Sequence, residues 1–375
     1  MKVDIAIRNG RVVDPAANRE GIGDIFIQNG KIVDGGADVQ ADCEIDAAGQ
    51  LVLPGLIDYH LHVFPQGTDI GIDADSSLLP QGVTTAVDAG SAGTANFAAF
   101  RELVAERSTT RVKAFINVCS AGLATSQYHE NVDPKYWDRA GIRKILEQYP
   151  EWVQGIKIRI SRAIVQELGM KPLEEAVKLA EEAGTRLAVH STDPTGTMSD
   201  IANCLRAGDI LVHCFHGTGN TILDEQGKIH EPVWQARRRG VVMDAANGRN
   251  HWSFAVAEAA LGQGFEPDVI STDLTARTLF RDPVFGLPYL MSKYLMLGMT
   301  LPNVVAACTA KPAELLGMTG VIGTLAPGAV ADVSVFSLTD KSVAFADTKG
   351  VVKQGKQLLC PRLTLSGGKI VFRSL

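Results

Sequence analysis

A chain of 375 residues, 46% hydrophobic and 21% charged, has enough apolar side chain for a large buried core and is not a disordered protein. Its formal net charge of -6, with no long lysine/arginine run, excludes a general polyanion-binding surface. The six cysteines are scattered without a C-x-x-C pair, which fits reduced thiols better than a disulfide framework, and no apolar stretch is long enough to span a bilayer.

Met1 to Arg8 alternates polar and apolar residues and lacks the apolar core of a signal peptide, so cytoplasmic is the expected location. Val3-Asp4-Ile5-Ala6-Ile7 and Asp24-Ile25-Phe26-Ile27 predict strands, and Asn9-Gly10 and Asn29-Gly30 predict hairpin turns. Leu56 to Ile57 then reads as the end of a short buried strand and runs into Asp58-Tyr59-His60-Leu61-His62. Side chains at i and i+2 of an extended segment point the same way, so His60 and His62 can hold one metal ion.

Beyond that point a strand-then-helix pattern repeats. Strands are expected at 56–58, 84–88, 113–118, 153–157, 186–190, 210–213, 241–244 and 268–272. Between them lie helical stretches such as Pro172 to Ala183, with apolar residues at Leu173, Ala176, Val177 and Ala180. Spacings of roughly 25–40 residues leave room for a crossover helix each time, as parallel pairing demands. After Gly320 the texture is β again: Asp332-Val333-Ser334-Val335-Phe336 alternates, and Gly367-Gly368 separates two last short strands. The expected architecture is α/β: a (β/α)8 TIM barrel over 55–320, with a small β-sandwich built from both chain ends, 1–54 and 321–375. An open doubly wound sheet is the alternative, disfavoured because no G-x-G-x-x-G follows the first strand.

In such a barrel the chemistry sits at the C-terminal ends of the strands. Those ends carry His60 and His62, then Lys157, His190, His213 and Asp273. With Arg8-Asn9-Gly10-Arg11-Val12-Val13-Asp14 and Gly323 to Asp332 on the flanks, this ordered set resembles the amidohydrolase superfamily over nearly the whole chain. Within it, the chain looks most like the dihydroorotase-like deacetylases. The resemblance implies that His60, His62 and Asp273 hold one metal, His190 and His213 a second, and Lys157 bridges them as a carbamate. An ammonium has no lone pair to ligate a cation, whereas the CO2 adduct is an anionic carboxylate. Two divalent metal ions are expected; zinc suits the donors, and manganese, iron or nickel fit the same ligand types. His213 directly ends its strand and is favoured over His216, which is already in the loop and would line the substrate site. His129 and His230 read as solvated loop histidines, and Asp88 as closing a turn.

The resemblance further implies hydrolysis of an amide, a cyclic amide or an ester by a metal-activated hydroxide, with Asp273 as proton acceptor and donor. Small N-acyl amino acids or O-acyl hydroxy acids fit best; ring opening of a cyclic amide is the alternative. Arg159 or Arg162 could grip a substrate carboxylate, a surface salt bridge being the competing reading of each. Asn247 and His251, after the seventh strand, are further candidates, although that turn departs from the Gly-His-Gly pattern common among relatives. A non-catalytic binding relative is disfavoured because the full ligand set is kept, and a phosphotriesterase-like hydrolase because the flanking strands are present. The expected partner is a small-molecule substrate, not nucleic acid or membrane, and a homo-oligomer is compatible with the chain.

Overall fold

The computed structural model describes residues 1–36 and 38–374. Strands β1 (Lys2–Asp14), β2 (Arg19–Gln28) and β3 (Lys31–Val33) run antiparallel in succession, while β4 (Gln40–Asp46) and β5 (Leu51–Pro54) pair with β1 in parallel. Asn29-Gly30 makes the expected tight turn between β2 and β3, both residues at positive φ (50° and 72°). Asn9-Gly10 does not. Asn9, at φ 61°, sits inside β1 as an irregularity that shifts the register between Ile7 and Gly10. Its backbone N–H donates to Asp24 Oδ1 (3.0 Å) and its side-chain amide to Asp46 Oδ1 (3.0 Å), so neighbouring strands satisfy a conformation that elsewhere would turn the chain.

The central region is a parallel sheet of seven strands in sequential order: β6 (Leu56–Leu61), β7 (Val83–Ala89), β8 (Arg111–Asn117), β9 (Val153–Arg159), β10 (Arg186–His190), β11 (Ile210–Val212) and β12 (Val242–Asp244). Helices lie between them. One spans Lys171–Glu182, starts with proline in its first turn, and buries Leu173, Ala176, Leu179 and Ala180. The segment expected as an eighth strand is not a regular one. It still hydrogen-bonds to both edge strands: Asp268 N–H donates to Met243 O (2.9 Å) and Asp273 N–H to His60 O (2.6 Å). The irregularity has a local cause. Buried Asp58 accepts both the backbone N–H (3.0 Å) and the hydroxyl (2.6 Å) of Thr272, which diverts that backbone from the ladder, and Asp273 follows at φ 51°.

Strands β13 (Val333–Ala346), β14 (Val352–Ser366) and β15 (Lys369–Arg373) complete the chain, and β13 pairs antiparallel with β5. As expected, the two chain ends build one β-rich unit, and its strands share a hydrogen-bonded mixed sheet of eight, ordered β15-β14-β13-β5-β1-β2-β3 with β4 on β1. Ile7, Val12, Ile27, Val52, Val333 and Leu365 are buried together in its core. Asp14 ties the ends directly, accepting from the Thr324 hydroxyl (2.8 Å) and the Leu325 N–H (2.6 Å). The far half of the β13–β14 hairpin belongs instead to the central core. Phe345 packs on Tyr289 of the helix Leu287–Met296 (centroids 4.8 Å), and buried Lys293 donates to Ala346 O (2.8 Å). Among the described residues no helix is long and apolar enough to cross a membrane, and all six cysteines are free.

Candidate metal centre

Asp58, His60 and His62 lie on one side of β6 and its continuation, as the two-residue period of a strand requires. His60, His62 and Asp273 each offer a ligand atom, all within 4.8 Å of one another. Asp273 Oδ1 lies 3.2 Å from His62 Nε2 and 3.7 Å from His60 Nε2. The other ring nitrogens are occupied: His60 Nδ1 meets Asp244 Oδ2 (3.2 Å) and His62 Nδ1 meets Ser91 Oγ (2.9 Å). Both Nε2 atoms are thereby left for a cation. Asp244 is itself held, accepting from Ser271 Oγ (2.5 Å) and Ala246 N–H (3.1 Å). Burial pushes the Asp244 and Asp58 carboxyls up to about 7 and holds His60 well below the usual histidine range.

His190 ends β10, His213 follows β11, and His251 comes from the turn after β12; their ligand atoms also lie within 4.8 Å of one another. His213 Nδ1 is engaged by Ala246 O (2.6 Å), and its Nε2 lies 2.9 Å from His190 Nδ1. His251 Nδ1 meets the Thr192 hydroxyl (3.0 Å). Asp273 links the groups, its Oδ2 standing 3.8 Å from His251 Nε2. Lys157, on β9, is 2% exposed with Nζ 3.1 Å from His60 Nε2, and burial pushes its amine down to about 8. His213 (φ 63°) and Asp273 (φ 51°) both adopt the left-handed region that non-glycine residues avoid. Backbone strain of order 1–2 kcal/mol at such positions is tolerated where side-chain direction matters more than local comfort.

A cavity of about 330 Å³ opens onto both groups. Its wall includes Arg159, Arg249, Arg277, His129 and Glu130. Arg159 Nε is 3.1 Å from Glu130 Oε1, a carboxylate whose side chain is almost wholly buried. Arg277 donates to Ser126 Oγ, and Ser126 is in turn held by Asp69 (2.9 Å from its N–H). Among the described residues Arg249 makes no side-chain hydrogen bond or ion pair with protein groups.

Of the substrate contacts expected from sequence, Arg159 and His251 line this cavity; Arg162, His216 and Asn247 do not. Arg162 turns away to Pro194 O (3.3 Å) and lies 4.0 Å from Asp193. Asn247 is buried, with Oδ1 accepting from Tyr294 OH at 3.4 Å. His216 is fully buried with neither ring nitrogen hydrogen-bonded, and burial pushes it down to about 4; it is His213 that meets His190. His129, expected as a solvated loop residue, is part of the wall. Asp88 closes a turn as expected, accepting from Val63 N–H (2.9 Å) and Ser91 N–H (2.7 Å). Glu130, Arg249 and Arg277 went unread because they lie several residues past the strand ends. The signal they do carry is their charge in loops that follow the site-bearing strands.

One cluster of two imidazoles and a carboxylate, a second of three imidazoles, a shared pocket and a buried lysine beside His60 fit divalent cations. The model of the amidohydrolase family matches residues 51–371. A protein named deacetylase from Agrobacterium fabrum is 35% identical over 343 residues, covering 90% of this chain and 84% of that relative. A solved structure described as a dihydroorotase superimposes with a TM-score of 0.90 at 34% identity, covering 99% of this chain and 98% of that one. Another, described as an adenine deaminase, gives 0.89 at 31% identity, covering 99% and 100%. With the family match spanning most of the chain and the deacetylase relative nearly all of it, the protein is a hydrolytic enzyme and belongs to the amidohydrolase family.

Proposed function

We propose that the protein is a metal-dependent deacylase that removes the acyl group from a small N-acyl amino acid or O-acyl hydroxy acid. The observation that carries this is one cavity joining both ligand clusters to Asp273 and to a guanidinium-lined wall. The deacetylase name of a relative 35% identical supports the reaction class. Residues 55–320 are taken as a (β/α)8 barrel with 268–274 as its irregular eighth stave, and 1–54 with 321–375 as the second unit of a cytoplasmic enzyme. The ligands are His60, His62 and Asp273 on one side and His190 and His213 on the other, with Lys157 able to join them only as its carbamate. Two divalent cations held there, zinc by donor type, would polarise the scissile carbonyl and acidify a water molecule. Asp273 reaches both clusters, so its carboxylate can take a proton from that water and return it to the leaving amine or alkoxide. Arg249, free of protein partners, and Arg159 hold the substrate carboxylate.

Ring opening of a cyclic amide uses the same groups, and the likeness to a structure described as a dihydroorotase favours it as the second reading. Turnover of N-acyl and O-acyl acids of both configurations, beside cyclic ureides and imides, by protein loaded with two zinc ions decides between them. Deacylation is expected. Turnover of the cyclic compounds alone would replace it, and no turnover of either by metal-loaded protein would remove both.

A further inference from the structure

Three imidazoles converge on the second metal position. The ring centroids of His190, His213 and His251 form a nearly even triangle, 4.4 Å, 4.3 Å and 4.7 Å on a side. Two rings have one nitrogen committed away from the centre: His213 Nδ1 to Ala246 O (2.6 Å) and His251 Nδ1 to the Thr192 hydroxyl (3.0 Å). Each therefore presents Nε2 inward, and His190 presents Nδ1, 2.9 Å from His213 Nε2. A hydrogen bond on the outer nitrogen is the usual device for orienting an imidazole toward a cation.

The turn that delivers His251 is built for close approach. Gly248 has φ 54°, and a Cβ there would strike the Asp273 carboxylate and the His251 ring. The N–H groups of Asn247 and Gly248 donate to Ser271 O (3.1 Å) and Thr272 O (2.9 Å). These bonds pin the turn to the segment that carries Asp273, so His251 is placed by backbone rather than left on a loose loop.

We propose that His251 is the third protein ligand of the second metal position, which is thereby a three-histidine site complete without Lys157. Three histidines suffice for a zinc site that keeps an open position for water or substrate. The inference rests on the two-metal reading above and adds one consequence: occupancy of this position does not depend on CO2 adding to a lysine.

The test uses the full chain stripped of metal and reads zinc binding by competition with a chromophoric chelator. In His251→Ala, one of the two zinc-binding steps should weaken by at least ~10²-fold while the other holds, since loss of a ligand costs more than the 10–100-fold typical of its outer partner. A folded His60→Asn/His62→Asn/Lys157→Ala variant should keep one tight zinc and lose it when His251→Ala is added. Equal affinities with and without His251 would overturn the proposal and leave His251 as a substrate contact. Absence of zinc from the multiple variant that retains His251 would overturn it too. Should the multiple variant not fold, cobalt decides on the single one: the Co2+ d–d spectrum must change in His251→Ala, and an unchanged spectrum refutes ligation. Turnover is not read, so a failure of the deacylase reading leaves this result standing, and the reverse holds as well.

Discussion

The two ligand clusters are built from the same residue types yet are held differently. In the first, every member is buried, and the outer nitrogens of His60 and His62 rest on a buried carboxylate and a buried hydroxyl, Asp244 and Ser91. In the second, His190 and His213 are buried, but His251 keeps 20% of its side chain exposed and leans on Thr192. A carboxylate orients an imidazole more firmly than a hydroxyl does, and among these outer partners it is Asp244, on His60, that is a carboxylate, while Ser91 and Thr192 are buried hydroxyls. The first cluster is thus the more deeply held, and the second has the exposed member, His251. Asp273 belongs to the first and stands 3.8 Å from His251 of the second.

The sharpest break of this contrast is Asp273→Asn. Asparagine keeps the size and one oxygen but cannot accept a proton, so kcat should fall by ~10²–10⁴-fold. Measuring kcat and metal content on the same sample separates chemistry from metal loss. A kcat within a few-fold of the parent with both metals bound would make Asp273 structural only.

His216 serves as a control, since among the described residues it has no hydrogen-bond partner on either nitrogen while His60, His62, His213 and His251 each have at least one. Burial holds it at about 4 in the fold, below the ordinary histidine value of about 6.5, so its contribution to stability is fully present above pH 6.5 and is lost as pH falls through 4. Metal-free protein should lose on the order of 3 kcal/mol more than His216→Met over that window in urea unfolding. Parallel curves for the two proteins would mean that His216 finds a proton partner in the fold.

Removing the outer partners tests the contrast directly. Asp244→Asn should weaken zinc at the first cluster by ~10–100-fold, and Thr192→Val should weaken it at the second by no more than ~10-fold. Equal losses in chelator competition would erase the distinction between the two clusters. The smallest effect is expected at the wall: Arg249→Met should raise KM for an anionic substrate by roughly tenfold with little change in kcat, as loss of one charge-assisted hydrogen bond predicts. A neutral analogue of the substrate should not notice the change.

What could be read in advance follows from periodicity. His60 and His62 are legible because a strand alternates, and Lys157, His190 and His213 because they stand where strands end or have just ended. The irregular eighth segment was not, since Asp58 and Thr272 are remote in sequence and only their contact explains why 268–272 leaves the ladder. Asn9-Gly10 carries a turn signature, and the side chains that let it lie within β1 come from β2 and β4. The place of His251 could be seen only as a loop position. Its approach depends on backbone bonds from 247 and 248 to 271 and 272, which no local pattern announces. The cavity wall has the same difficulty, because Glu130, Arg249 and Arg277 come from three loops that have no period.

The pairing of β5 with both β1 and β13 also bears on how the molecule is made. As the polypeptide leaves the ribosome, β1 to β5 emerge before the central region, yet the edge of β5 that β13 will cover waits until that region has been synthesised. A chain cut short anywhere in that region carries an unpaired strand edge, the feature that invites aggregation and quality-control recognition. Cover for the edge of an early strand thus depends on β13, which is made only after the central region.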